Sequence, residues 1–275
     1  MLVYGIPIGA ASAALEGSLQ VSLNVAQHQQ ESSEQQSSNL PLSAEARHAL
    51  GKVSTATITT QLLARGFRNT FLEGLTFSNP SRQRLIGEAF TMRCIPSRED
   101  IDVPSIFQDY DHPQRKGVES VGPGQVLVID SRGKKRAASL GHILATRLRQ
   151  RGAGGIVTDG SLRDMAGFEE LDLPTFSAGA SPTTNLAQHH VVDFQLPIAC
   201  AEVPVYPGDI VVGDRDGVIC IPRHLAEAVA HDAWEQEKLE EFILMKVESG
   251  SPLRGTYPPN EQMLQAYQET LRRKP

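Results

Sequence analysis

The order of strand-like and helix-like segments predicts an α/β fold. Three observations carry this. Val126 to Asp130 (VLVID), Gly141 to Gln150 and Ile156 to Asp159 read strand, helix, strand, the spacing of a parallel βαβ unit. From Thr175 to Ile221 the chain breaks into short β-branched runs separated by Pro, Gly and Asp. Helical periodicity then returns near both ends, so helices flank the sheet.

The elements follow in order. Residues 28–39, HQQESSEQQSSN, are polar and low in complexity and cannot bury enough apolar surface to offset ordering entropy. Residues 1–39 therefore read as a disordered extension outside the fold, and residues 40–275 as one domain that includes the C-terminal helices. Ser43 to Leu50 predicts a short helix. Ser54 to Arg65 predicts a second, with Ile58, Leu62 and Leu63 at helical spacing and Gly66 just past its end. Residues 85–95, LIGEAFTMRCI, read as a strand that Pro96 stops. Residues 97–115 are polar and aperiodic, a loop leading into a short helix or turn. Gly122-Pro123-Gly124 turns into the VLVID strand. After the helix ending at Arg151-Gly152 and the strand to Asp159, Gly160 is expected to open a turn. Thr175–Ala178, Val191–Val192, Ala199–Val205, Ile210–Val212 and Val218–Ile221 follow as short strands. A long amphipathic helix runs from about Leu225 to Ser249. Asn260 is placed to cap a last helix ending near Arg273.

Composition limits the function. Hydrophobic residues make up 40% of the 275, charged ones 21%, and the formal net charge is −6. An acidic chain with aromatics at 5% is a poor nonspecific nucleic-acid binder and a poor base-stacking platform. Three of the acidic residues (Glu16, Glu31, Glu34) and none of the basic ones lie in 1–39, so half of the net charge sits in the extension. The domain itself is nearly balanced. Cys94, Cys200 and Cys220 form no CxxC pair and each lies in an apolar run, which predicts buried, reduced thiols. The first basic residue is Arg47, and no apolar run reaches bilayer length, so neither a leader peptide nor a membrane span is expected. These features suit the cytoplasm.

Chemistry concentrates at two places. Thr158-Asp159-Gly160-Ser161-Leu162-Arg163-Asp164 lies at the carboxyl end of a buried strand, the edge where open α/β sheets place ligands. Arg163 offers a planar donor fork for a carboxylate or keto-acid oxygen, and Asp164 a hard oxygen for Mg²⁺ or Mn²⁺. A surface ion pair or a helix-capping Asp fits the same spacing. Ser139-Leu140-Gly141-His142-Ile143-Leu144 opens a helix, where free N–H groups and the helix dipole attract anions. An ordinary helix start fits as well. His142 is either a base or a half-exposed cap. Asp214 and Asp216 in GDRDGV read as turn formers, with Gly217 taking positive φ. His189-His190 lacks a spaced third ligand. No GxGxxG, GxxxxGK[ST], GxSxG or HExxH occurs, and none of the seven lysines lies in an apolar strand where a Schiff base would need it.

Taken in order, GPGQVLVIDSRG (122–133), AASLGHILATRLRQRGAGGIVTDGSLRD (137–164), LDLPTFSAG (171–179) and PGDIVVGDRDGVICIP (207–222) resemble one family. It is the RraA-like family, which contains regulators of ribonuclease activity and metal-dependent 4-hydroxy-4-methyl-2-oxoglutarate / 4-carboxy-4-hydroxy-2-oxoadipate aldolases. FRNTFLEGL, GEAFTMRCIPSREDID and GTYPPNE look like a subgroup often labelled ribonuclease activity regulator. The resemblance runs over roughly residues 45–265.

It implies a swivelling β/β/α sandwich assembled as a homotrimer or a hexamer, with a pyruvate-type pocket at the subunit interface. Asp164 takes the metal-ligand place and Arg163 the substrate-binding place. Backbone amides of Gly141, His142, Ile143 and Leu144 bind the pyruvyl carboxylate. Glu240 or Glu241 falls where a neighbouring subunit's glutamate holds metal-bound water. Two positions depart from the pattern. His142 stands where the aldolases carry an acidic residue, and Ala201-Glu202 where many relatives carry Gly-Gly. The resemblance leads to a Mg²⁺- or Mn²⁺-dependent lyase that cleaves a 4-hydroxy-2-oxo acid, or a sugar-derived 2-keto-3-deoxy acid, to pyruvate and a carbonyl product. Arg163, Asp164 and His142 are its expected catalytic groups, and oxaloacetate decarboxylation its expected side reaction. The 97–115 loop is placed to cap the pocket. The alternatives are a non-enzymatic inhibitor of a ribonuclease complex and a 2-oxo acid dehydratase or isomerase on the same site.

Overall fold

The computed structural model describes residues 41–78 and 84–273. The extension expected over 1–39 lies outside them. Among the described residues two short helices come first, α1 (Ala44–Leu50) and α2 (Thr55–Ala64). Each starts on a serine: Ser43 Oγ accepts from the Ala46 amide and Ser54 Oγ from the Thr57 amide. These hydroxyls pair N–H groups that a helix start leaves open.

The strands are β1 (Thr76–Phe77), β2 (Leu85–Pro96), β3 (Val126–Asp130), β4 (Ala138–Gly141), β5 (Gly155–Arg163) and β6 (Thr175–Ala180). They continue as β7 (His189–Phe194), β8 (Ile198–Cys200), β9 (Val203–Val205), β10 (Ile210–Gly213) and β11 (Val218–Ile221). Between them lie a 3₁₀ turn at Pro104–Gln108 and helices α3 (Pro113–Ser120), α4 (His142–Gln150) and α5 (Met165–Glu170). Helices α6 (Ala226–Glu248) and α7 (Glu261–Arg273) close the chain. Asn260 Oδ1 accepts from the Met263 amide at 2.9 Å, as the cap of α7 requires.

Among the described residues one sheet runs β1-β6-β5-β3-β2-β10-β11, with β4 on β5 and β7 on β2, and β8-β9 form a separate hairpin. The expected parallel unit is present: Val126 to Ile129 pair with Gly155 to Thr158 in parallel register. Long β2 changes partners along its length. Leu85 to Glu88 pair antiparallel with β10, and Ala89 to Arg93 pair parallel with β3. This exchange curls the sheet into an α/β sandwich with three apolar clusters.

Strand alternation assigns the clusters. Leu127 and Ile129 face one with Val118, Leu148 and Phe168, under α3, α4 and α5. Val126 and Val128 face another with Phe176 and Val205, beneath the β8-β9 hairpin. Ile210, Val212, Ile219 and Ile221 face the third, against Leu50, Ile58 and Val229 of α1, α2 and α6. Period-2 side chains on a sheet covered on both faces produce this division. All three cysteines are buried. Burial pushes the Cys94 thiol up to about 12, and those of Cys200 and Cys220 well above their ordinary value. They remain protonated, poor nucleophiles.

Three local expectations are corrected. Gly160 opens no turn, because β5 continues through it to Arg163. A Cβ at Gly160 would meet Ser139 Oγ at 2.5 Å and Ser131 Cβ at 2.6 Å, so the glycine admits close approach of two neighbouring segments. Ser139 to Gly141 belong to strand β4, not to the start of a helix. Ala199 to Val205 form a hairpin instead of one strand, turning at Ala201 (φ 50°) and Glu202 (φ 63°). Two positive φ angles are what a tight hairpin turn demands, which suits a Gly-Gly pair at these positions.

Candidate functional site

Two parallel strand ends build the site. β4 and β5 run side by side, with Leu140 opposite Leu162 and Gly141 opposite Arg163. Their apolar residues lock into the core, Leu140 at 4% exposure and Leu162 at 0%. The next residues, at the sheet's carboxyl edge, face a cavity. After Gly141 the chain turns directly into α4, and Gly141 as N-cap supplies no side-chain bond to the first turn. The opening N–H groups of α4 therefore lie beside Arg163, a natural anion cradle.

After Arg163, Asp164 takes a left-handed conformation (φ 64°, ψ 44°) and starts α5 without a side-chain capping bond. Asp tolerates this region better than most residues. The twist leaves the carboxylate free of backbone duty. Arg163 Nε lies 3.7 Å from Asp164 Oδ2, with the side chains 43% and 57% exposed. The pair is open enough to exchange partners for a ligand.

Arg163, Asp164, Gly141, Ile143 and Leu144 line one cavity of about 370 Å³. Phe107, Gln114 and Arg115, from the 3₁₀ turn and α3, line it too, as do Thr184 and Asn185 ahead of β7. The loop expected to cap the pocket thus contributes to its wall. Gln114 Nε2 donates to the Ser139 carbonyl at 2.8 Å, fastening α3 to β4. Under this floor, the hydroxyls of Ser131 and Ser139 lie 2.6 Å apart and those of Ser139 and Thr158 2.8 Å. This buried network joins β4 and β5 to the residue just after β3.

Gly141 makes the juxtaposition sterically feasible. A Cβ there would fall 2.7 Å from Asp164 Oδ2 and 2.9 Å from Arg163 Nε. Its own φ of −115° suits any residue. Gly141→Ala is thus expected to leave stability within about 1 kcal/mol, because flexible side-chain ends can yield. It should cost the site about tenfold in ligand affinity by displacing both functional groups. Denaturant titration and calorimetry on the same variant separate these effects.

The His142 side chain stands apart from the groups that line this cavity. Its Nε2 lies 3.2 Å from Thr146 Oγ1, and the ring packs edge-on against Phe168 at 6.2 Å. A helical side chain one residue past the cap follows the helix surface, which sets the ring against Thr146 and Phe168. Glu240 and Glu241 do not join this cavity within one chain. They line a separate groove on α6 with Ile243, Leu244, Val247, Leu253 and Tyr257.

Asp159, from the same sharp segment, serves the scaffold. It accepts from the Ser131 amide at 2.6 Å and the Gly133 amide at 2.8 Å, and burial raises its pKa. Ala201 and Glu202 line another cavity with Asp159, away from Arg163. Asp214 accepts from the Asp216 amide and from both the amide and hydroxyl of Thr55, so it secures a turn to α2. His190 Nδ1 lies 3.2 Å from Asp102 Oδ1, and burial pulls the His189 pKa to about 4.

Arg115 and Asn185 went unnoticed in the sequence. Each stands in a polar stretch with no periodic or motif signal, and only packing brings them to the cavity. Among the described residues no group of three or more His, Cys, Asp or Glu could hold a metal ion, and no helix is long and apolar enough to cross a membrane.

Comparison with known proteins identifies the family. A profile described as RraA-like, Aldolase/RraA, matches residues 36–220. A Thermus thermophilus protein named 4-hydroxy-4-methyl-2-oxoglutarate aldolase is 32% identical over 108 residues, 39% of this chain and 65% of its own. The chain spans 60% and 65% of the length of two curated relatives it matches. The crystal structure of Streptomyces coelicolor RraAS2, described as an unusual member of the RNase ES inhibitor RraA protein family, superimposes with a TM-score of 0.66 at 30% identity. That match covers 75% of this chain and 98% of RraAS2. The structure of an uncharacterized Pseudomonas syringae protein gives 0.67 at 25% identity, covering 79% of this chain and 99% of that one. With the profile spanning most of the chain and the same fold in both neighbours, this protein belongs to the RraA-like family.

Proposed function

We propose that the protein is a carbon–carbon lyase. It cleaves a 4-hydroxy-2-oxo acid, or a sugar-derived 2-keto-3-deoxy acid, to pyruvate and a carbonyl product, and decarboxylates oxaloacetate as a side reaction. The observation that supports this is the convergence of Arg163, Asp164 and the first turn of α4 on one cavity. Relatives named as aldolases point the same way.

Arg163 pairs its guanidinium fork with the substrate carboxylate, and the N–H groups of His142, Ile143 and Leu144 complete the cradle. This orients the 2-oxo group toward Asp164. The donor set decides whether a metal fits. Among the described residues Asp164 is the one carboxylate lining the cavity, and they offer no closed cage of the kind zinc or calcium takes. One exposed carboxylate does suit Mg²⁺ or Mn²⁺, which retain water and complete their shell with substrate oxygens. Asp164 would hold such an ion, which when bound would supply Lewis acidity to the 2-oxo group. Cleavage breaks the C3–C4 bond. The 4-hydroxyl proton passes to water in the open cavity, the electron pair stays on the pyruvate half, and protonation at C3 completes pyruvate.

A homotrimer or hexamer belongs to this reading, with Glu240 or Glu241 of a neighbouring copy reaching the water near Asp164. A second reading, inhibition of a ribonuclease complex without catalysis, is favoured by the likeness to RraAS2. One experiment separates the two. Purified protein is given oxaloacetate and 4-hydroxy-2-oxo acids with Mg²⁺, with Mn²⁺ or with a chelator, and pyruvate is followed. Chelation is expected to remove at least about 90% of the turnover, the effect of losing a Lewis acid worth several kcal/mol. No pyruvate with any metal from an intact oligomer would sink the lyase. Retention of a ribonuclease subunit in a pull-down would then favour the inhibitor.

A further inference from the structure

Strand β5 changes neighbours shortly before it reaches the cavity. It pairs with β3 as far as Thr158, opposite Ile129, and with β4 from Ser161, opposite Ala138. Extra residues mark the exchange. β4 advances from Ala138 to Leu140 while β5 advances only from Ser161 to Leu162, so Ser139 is a bulge. β5 advances from Thr158 to Ser161 while β6 advances only from Ser177 to Gly179, so a second bulge lies at Asp159-Gly160. A bulge shifts the register by one residue, and here the shift decides what meets Arg163. An unbroken ladder from Ala138 would set Leu140 opposite Arg163. The Ser139 bulge sets Gly141 there instead, where a Cβ would fall 2.7 Å from Asp164 Oδ2.

The hydroxyls of Ser131, Ser139 and Thr158 occupy this junction. Ser131 and Thr158 are 0% exposed and Ser139 1%. All three oxygens are mutual neighbours: Ser131 lies 2.6 Å from Ser139 and 3.2 Å from Thr158, and Ser139 lies 2.8 Å from Thr158. Thr158 Oγ1 also accepts from the Gly160 amide at 3.0 Å, inside the second bulge. A Cβ at Gly160 would meet Ser139 Oγ at 2.5 Å and Ser131 Oγ at 2.8 Å, so the ring lies against the bare face of that glycine. Three hydroxyl protons fill three oxygen–oxygen contacts, and the closed ring keeps none for a ligand. Its influence is therefore on the backbone.

We infer that Ser131, Ser139 and Thr158 are positioning residues for the cavity at the ends of β4 and β5. Their ring pins the Ser139 bulge to the partner exchange of β5. It thereby holds Gly141, and the α4 amides that follow it, beside Arg163. Pyruvate as the ligand that senses this placement rests on the lyase reading; the register itself does not.

The test compares Thr158→Val and Ser139→Ala, which remove one hydroxyl each, with Thr158→Ser, which keeps it. Thr91→Val is the structural control. Thr91 is 0% exposed and its hydroxyl donates to the Leu196 carbonyl, outside the ring. Hydrogen exchange needs no ligand. In Thr158→Val and Ser139→Ala, amides of residues 138–144 are expected to exchange about tenfold faster or more relative to those of β10 and β11, the scale of one lost buried hydrogen bond. Thr158→Ser should restore most of the protection, and Thr91→Val should leave the ratio unchanged. Calorimetry with pyruvate and Mg²⁺ is expected to show about tenfold weaker binding in the first two variants only. Circular dichroism checks that each is folded. An exchange ratio unmoved in folded Thr158→Val and Ser139→Ala, or moved equally in Thr91→Val, overturns the inference. Faster exchange with wild-type pyruvate affinity also overturns it, since the ring would then stabilise strands without placing the site. Faster exchange in a protein whose wild type binds no pyruvate leaves the register role standing and removes the pyruvyl cradle of the lyase reading.

Discussion

Asp164→Asn is expected to lower metal-dependent pyruvate release at least about a hundredfold while leaving the fold intact, the range seen when one stabilising group is removed from a reacting centre. Asparagine is the informative replacement. Asp164 sits at φ 64°, and asparagine tolerates that region where alanine adds backbone strain. The carboxylate is half-exposed, caps no helix, and makes only a 3.7 Å contact with Arg163. An exposed ion pair of this kind contributes about 0–1 kcal/mol, so the unfolding free energy should barely move. The substitution removes the negative charge and keeps the shape. Single-turnover pyruvate release across a Mg²⁺ or Mn²⁺ titration reads it directly. Wild-type rates in Asp164→Asn at every metal concentration would falsify the role assigned to this carboxylate.

Phe168→Ala carries the largest expected loss of stability, about 3–5 kcal/mol. Phe168 is fully buried and packs in the cluster with Leu140, Leu148 and Leu162. Deleting the ring removes apolar burial and leaves a cavity that β4 and β5 cannot both close, because their backbones are tied in one ladder. Leu140 and Leu162 are the last apolar residues before Gly141 and Arg163, so the loss reaches the site. The His142 ring, which rests against Phe168, loses its support at the same time. Urea denaturation followed by circular dichroism measures the first effect, and affinity for pyruvate the second. A midpoint unchanged from wild type would show that this cluster does not hold the strand ends.

Much of the fold was legible from local signals. VLVID and the run to Asp159 read as buried strands because their apolar residues are consecutive, and they pair in parallel as the spacing requires. Ser43, Ser54 and Asn260 marked helix starts because a hydroxyl or amide oxygen is the ready partner for an unpaired N–H. The adjacency of Arg163 and Asp164 needed no structure to be noticed. The errors share one cause. Gly160 looks like a turn residue from its neighbours, yet it lies in a strand, because the segments carrying Ser131 and Ser139 press on it from elsewhere in the chain. Ala199 to Val205 looks like one strand because nothing in Ala201-Glu202 signals a turn.

The sequence by itself determined the fold class, the order of its elements and the strand end that carries Arg163 and Asp164, since periodicity, caps and turn formers act within a few residues of one another. Tertiary structure alone decided the pairing of β4 with β5 that sets the α4 amides beside Arg163. It set the His142 ring against Thr146 and Phe168 and brought Arg115 and Asn185 to the cavity wall. Those outcomes depend on which distant segments pair and which face a side chain then meets, and long-range packing settles both.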